Sequence, residues 1–268
     1  MATEQLRWGV SPLCWTNDVL EDLGGDIPLD TCLREAREAG YQGIELGRKF
    51  PRQAATLGPL LAAADLRLAS GWYSGLLADR SVEAELEAGR EHAAPPGSCG
   101  GRVGLHGQGG PRHGEPRLEA LFSLSPPLSR VSLAAYCHKL NTFADLLLRD
   151  YDLQLAYHHH LMMLVEHDDE LERFLSHTHD NVGLAFDTGH AFVAGVEIPR
   201  VLHKYGHRIR HLHLKDVRPQ VLGRLYRENL SFNEAVRAGL FTIPGHGPTH
   251  RWRRTRLVRG TATPGGLG

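Results

Sequence analysis

Short apolar runs alternate along this chain with longer segments of helical period, and that alternation limits the fold more than any single motif. Strands separated by helix-length segments cannot form hairpins. They must return through crossovers, which gives repeated βα units and a parallel sheet. The apolar runs are Leu6–Ser11, Gly43–Leu46, Leu66–Gly71, Leu153–His158, Val182–Asp187 and Ile209–Leu214. Between and after them the spacing predicts helices over Pro28–Ala39, Ala54–Ala64, Ser81–His92, Ser132–Asp150, Asp168–Ser176, Glu197–Tyr205 and Ser231–Gly239. Gly40 stands where a helix C-cap glycine belongs, and Ser81 is an N-cap. With 268 residues the chain suits one α/β barrel.

Six such strands are legible, and a closed barrel needs eight. The shortfall falls where composition changes. Gly and Pro supply 12 of the 23 residues from Pro95 to Arg117, which disfavours a buried strand, and no acidic residue follows Glu234. The expected organisation is a single barrel domain over 1–246, irregular over 89–128, with 247–268 a disordered tail. Both aberrant segments read as the product of a shifted reading frame in a GC-rich gene. On that reading the final βα unit is missing, two sheet edges stay unpaired, and the chain is poorly stable and weakly active.

Composition narrows the function class. A formal net charge of -1 gives no global field for nucleic acid or anionic membrane. No stretch approaches the roughly 18 apolar residues of a membrane span, and no export signal opens the chain. Cys14, Cys32, Cys99 and Cys137 form no CxxC pair and read as free thiols, so a cytoplasmic location is expected. Histidine is the outlier, with 17 residues.

Position selects the important histidines. In α/β barrels the active site lies at the C-terminal ends of the strands. Three strands finish in His158, Asp187 and His213, so these side chains can converge on a divalent ion such as Mn, Co, Fe or Zn. Strict alternation puts His211, His213 and Lys215 on one face. A lysine there calls for an anionic or metal-linked partner, unless it reaches solvent. In Tyr157-His158-His159-His160 only one strand face meets the pocket, which makes His158 and His160 the candidates and turns His159 away. Glu45 ends the second strand as a base or hydroxyl-binding group. Trp15, Asn17 and Trp72 follow strand ends and can wall a sugar-like ring.

Several motifs carry a family resemblance: Val10 to Asp18, Gly40 to Pro51, Ser70-Gly71-Trp72-Tyr73, the histidine triplet, Phe186-Asp187-Thr188-Gly189-His190, and His213 to Arg218. Together they resemble the inosose dehydratases, within the wider group of xylose-isomerase-like TIM barrels. The resemblance covers roughly residues 6–90 and 128–245. It implies a (β/α)8 barrel lyase of myo-inositol catabolism that removes water from 2-keto-myo-inositol (inosose) to give a trihydroxycyclohexane dione. It also implies Mn or Co, and glutathione, as cofactors. Such barrels hold the metal with acid, acid, His and acid. His158 stands at the first position, Asp187 and His213 match the second and third, and the fourth acid has no counterpart here.

The chemistry implied begins with removal of a proton beside a ketone and ends with protonation of the leaving β-hydroxyl. Glu45, His190 and Lys215 are the groups for those roles, without assignment among them, and Trp15, Asn17, Trp72, His160 and His211 are expected to bind substrate. The expected partner is a small polyol ketone, with no nucleic acid and no membrane; self-association into a homo-oligomer stays open. Competing readings are a metal-dependent ketose isomerase or epimerase, a non-haem iron oxygenase built on the 2-His-1-carboxylate set, and a non-catalytic sugar-binding protein. An endonuclease is the least compatible with the neutral charge.

Overall fold

The computed structural model describes residues 7–98, 103–108, 122 and 132–249. Its centre is one parallel sheet whose seven strands lie in sequence order. They are β1 (Gly9–Val10), β2 (Gly43–Leu46), β3 (Arg67–Gly75), β4 (Val103–Gln108), β5 (Gln154–His158), β6 (Val182–Asp187) and β7 (Ile209–His213). Every neighbouring pair is parallel. Among the described residues no ladder joins β7 to β1, so the sheet is a curled, incomplete barrel.

The connecting helices are α1 (Leu29–Glu38), α2 (Ala54–Ala63), α3 (Val82–Ser98), α4 (Leu133–Tyr151), α5 (Asp168–His177), α6 (Thr188–Val193), α7 (Ile198–Tyr205), α8 (Pro219–Glu228) and α9 (Phe232–Arg237). A short antiparallel pair, β8 (Asp216–Val217) with β9 (Phe241–Thr242), follows the main sheet. No described helix is long and apolar enough to cross a membrane. Cys14, Cys32 and Cys137 are free thiols.

Strand β4 corrects the sequence reading, which left the Gly- and Pro-rich stretch without a strand. It pairs with β3 from Gly71↔Gly104 to Gly75↔Gln108, and with β5 from Val103↔Gln154 to His106↔Tyr157. The prolines of the stretch lie outside 103–108. Its glycines keep both ladder groups, and a Cβ on Gly104 would stand 3.0 Å from Leu153 Cδ2. Small size is thus used for close approach rather than lost as a defect. Of the expected tail, Thr249 is buried and its amide bonds Asp216 Oδ1 at 2.9 Å. Residues 250–268, and most of 109–131, lie outside the described residues.

Alternation along the strands sorts packing from chemistry. Leu155 and Tyr157 of β5, with Val182, Leu184 and Phe186 of β6, join one core with Tyr136, Leu140 and Phe143 of α4 and Phe174 of α5. The intervening Ala156 and Ala185 face inward and pack with Trp72 and Val103. The next inward positions are His158 and Asp187. A second core sets Ile44 and Leu46 of β2 against Leu33 of α1 and Leu57 and Leu61 of α2, which turns Glu45 to the opposite face.

Beneath β6 and β7 lies Arg208, 3% exposed. Its guanidinium donates to Val182 O (3.1 and 2.6 Å), Thr178 O (3.2 Å), Thr178 Oγ1 (2.9 Å) and Leu175 O (3.4 Å). One charged fork thus satisfies the carbonyls where α5 ends and β6 begins. Arg208→Leu leaves them without donors, and a loss of about 2–4 kcal/mol is expected. Urea unfolding with an unchanged slope checks this, and a loss below about 1 kcal/mol contradicts it.

Candidate active site

Asp187 closes β6 and opens α6, and its two oxygens do different work. Oδ1 accepts the backbone N–H groups of Gly189 and His190, each at 2.9 Å, as an N-cap. That fixes the carboxylate plane and aims Oδ2 into the curled face of the sheet. There Oδ2 lies 2.7 Å from Lys215 Nζ, 3.5 Å from His213 Nδ1 and 3.6 Å from His158 Nε2. His158 Nε2 and His213 Nδ1 are 3.2 Å apart. Asp187 is fully buried, and Oδ2 has no hydrogen bond of sound geometry.

The other side of His213 meets Glu45. Glu45 Oε1 lies 2.8 Å from His213 Nε2 and 2.8 Å from His211 Nε2, and it accepts the Ser70 hydroxyl at 2.7 Å. These contacts bridge β2, β3 and β7 across the interior. His213 thus stands between two buried carboxylates, one through each ring nitrogen.

Burial and charge oppose each other at each group. Burial raises the Asp187 carboxyl, but Lys215 first, then His190, His158 and His213, hold it well below the usual range. Glu45 is likewise raised by burial and held well below its usual value by His213 and His211. Burial lowers His213, yet Glu45 and Asp187 outweigh it and lift this imidazole to about 9. For His158 and His190 burial dominates, and both are pushed well below 6.5. Burial takes His159 and His160 to about 4. One cationic imidazole therefore sits among several neutral ones.

Two groups of donors bring ligand atoms within 4.8 Å of one another: His158, Asp187 and His213, and Glu45, His211 and His213. Their spacings separate them. Atoms bonded to one ion at about 2.0–2.2 Å stand about 3–3.6 Å apart. The 3.2, 3.5 and 3.6 Å separations of the first group fit that cradle, and Oδ2, which the α6 cap leaves free, points into it. The 2.8 Å separations of the second are ordinary hydrogen-bond lengths.

The remaining expected residues divide. His160 packs against His190 with centroids 3.8 Å apart and the rings tilted by 37°, and Phe232 and Phe241 border the pair. His190 Nδ1 is buried without a hydrogen-bond partner. Trp72 meets His158 edge-on at 5.2 Å. His159 turns away, packing on Phe186, with Nε2 3.4 Å from the Asp187 amide nitrogen. Trp15 and Asn17 are not drawn into the cluster: Trp15 Nε1 donates to Glu35 at 2.6 Å, and Asn17 Oδ1 accepts the amides of Val19 and Leu20.

Sequence reasoning missed Ser70, Thr188 and Phe241 as site residues. Thr188 Oγ1 donates to Lys215 O at 2.8 Å and lies 3.0 Å from Lys215 N, which roots that lysine. Ser70 had a signal, since it precedes Trp72 by two residues on the same strand. Phe241 had none, because it arrives on β9 from a distant loop.

The chain and its curled parallel sheet are similar to known proteins. Residues 33–254 match the family model of the xylose isomerase-like TIM barrel, and the chain belongs to that family. It is 40% identical over 243 residues to the rhizopine catabolism protein MocC of Rhizobium meliloti, covering 90% of this chain and 74% of that one. It is 34% identical over 244 residues to the inosose dehydratase of Geobacillus thermodenitrificans, covering 91% and 82%. The fold is shared with the probable 3-DHS dehydratase AsbF of Bacillus anthracis at a TM-score of 0.67, with 15% identity over 96% of this chain and 90% of that one. Several of its relatives are named inosose dehydratase, at 33–35% identity over most of both chains, and its enzyme class is a dehydratase, a lyase.

His213 supplies a direct test of the electrostatics. Glu45→Gln removes one of its two carboxylate neighbours, so its pKa should fall from about 9 by about one unit or more. An NMR titration of the imidazole in chelator-treated protein reads this. An unmoved His213 would show that Glu45 does not hold its charge.

Proposed function

We propose that this chain dehydrates an inosose, 2-keto-myo-inositol, to a trihydroxycyclohexane dione, with a divalent ion held by His158, Asp187 and His213. The observation that carries the reading is the convergence of those three ligand atoms at metal-compatible spacings, together with the inosose dehydratase relatives. A bound ion would take the place of the proton on His213 Nδ1 and would supply Lewis-acid polarisation of the ketone, which acidifies the neighbouring C–H.

The chain's own residues divide the proton work. His190 is the base on geometry: its ring borders His158 and its Nδ1 has no hydrogen-bond partner, while burial keeps the ring neutral at the cost of basicity. Lys215 carries the proton for the leaving β-hydroxyl, which departs as water. Glu45 takes three donors on one oxygen and is better suited to orient His211 and His213 than to accept a further proton. The rings of Trp72, His160 and Phe241 exclude water from the reacting carbons.

The test offers 2-keto-myo-inositol and a panel of ketoses to the protein loaded with Mn, Co or Zn, with and without glutathione. A new absorbance from an enolised dione is expected. An epimer alone would favour the isomerase reading, and oxygen consumption the oxygenase. His190→Asn should lower kcat about 10²- to 10⁴-fold. Asp187→Asn should lose the ion by elemental analysis while the circular dichroism spectrum survives. Full ion content in that variant would refute the ligand assignment.

A further inference from the structure

The atom that the proposed ion needs is already in contact with a cation. Asp187 Oδ2, the one carboxylate oxygen free of the α6 cap, stands 2.7 Å from Lys215 Nζ. The lysine is held there from both ends. Its backbone is tied to the Thr188 hydroxyl through N and O at 3.0 and 2.8 Å, and its head lies 5.2 Å from the centre of the Phe241 ring. Room for this path depends on Gly189: a Cβ there would lie 2.8 Å from Lys215 Cβ and 3.0 Å from Phe241 Cδ1.

The two cations cannot share this corner without cost. An ion at the cradle of His158 Nε2, Asp187 Oδ2 and His213 Nδ1 would sit within a few ångströms of the ammonium, in a pocket that weakens Coulomb forces far less than water does. The anchored backbone cannot move, whereas the side chain is 28% exposed and its head has somewhere to go. We infer that Lys215 is a placeholder cation: it neutralises Asp187 while the ion is absent, and ion binding turns its ammonium off Oδ2 toward the substrate. This rests on the metal reading above and adds to it an order of events, in which the ion arms the proton donor.

A placeholder has a signature that a plain catalytic lysine lacks: removing it helps the ion and harms the ion-free protein. The experiment measures Mn and Zn affinity by chelator competition, and thermal unfolding with and without ion, for wild type, Lys215→Met and Lys215→Arg. Lys215→Met should bind the ion at least about tenfold more tightly. Its Tm should fall below wild type in chelator and return toward it with saturating ion. Lys215→Arg keeps the charge and should stay near wild-type affinity. Equal or weaker ion binding by Lys215→Met overturns the inference while the ligand assignment survives. A wild-type chain that takes up no ion overturns both.

Discussion

Much of this structure depends on one buried carboxylate with two separate tasks. Asp187 is the last residue of β6 and the N-cap of α6, so strand, helix and site are joined at a single side chain. Its Oδ1 is committed to the backbone, which leaves Oδ2 to gather Lys215, His158 and His213. A buried charge is tolerated only when it is paired and hydrogen-bonded, and here Lys215, His158 and His213 supply the pairing and the α6 amides the hydrogen bonds.

Charge then propagates outward. Asp187 and Glu45 both hold His213, and Glu45 also gathers His211 and Ser70, so β2, β3, β6 and β7 meet through polar contacts inside the curl. The described residues show no backbone ladder between the first and last strands. The Glu45 contacts span from β2, next to the first edge strand, to the other edge strand β7 and so cross the interior of the curl. Outside the curl, Arg237 of α9 forms a two-pronged pair with Asp22 in the loop after β1, at 2.6 and 2.8 Å.

The strand-end residues were legible because alternation within a strand is a local property. The spacing of His211, His213 and Lys215, and the runs ending in His158 and Asp187, carried their own orientation. What was not legible depends on distant partners. Phe241 and Thr188 act through packing and hydrogen bonds that only the fold creates. β4 was overlooked because its glycines read as breakers, when Gly104 is needed for the close approach of Leu153. The helix Pro219–Glu228 buries only Val221 and Leu225, too short a stripe to stand out. Trp15 and Asn17 were expected at the site from sequence position alone; the fold sets Trp15 Nε1 on Glu35 of α1 and Asn17 Oδ1 on the amides of Val19 and Leu20.

The central claim is that the ligand atoms of His158, Asp187 and His213 surround one point. Anomalous diffraction from crystals soaked in Mn or Zn addresses it directly. One peak within about 2.0–2.3 Å of His158 Nε2, Asp187 Oδ2 and His213 Nδ1 is the result expected. A peak between Glu45 and His211, or none at the three-ligand point in ion-saturated crystals, would contradict it.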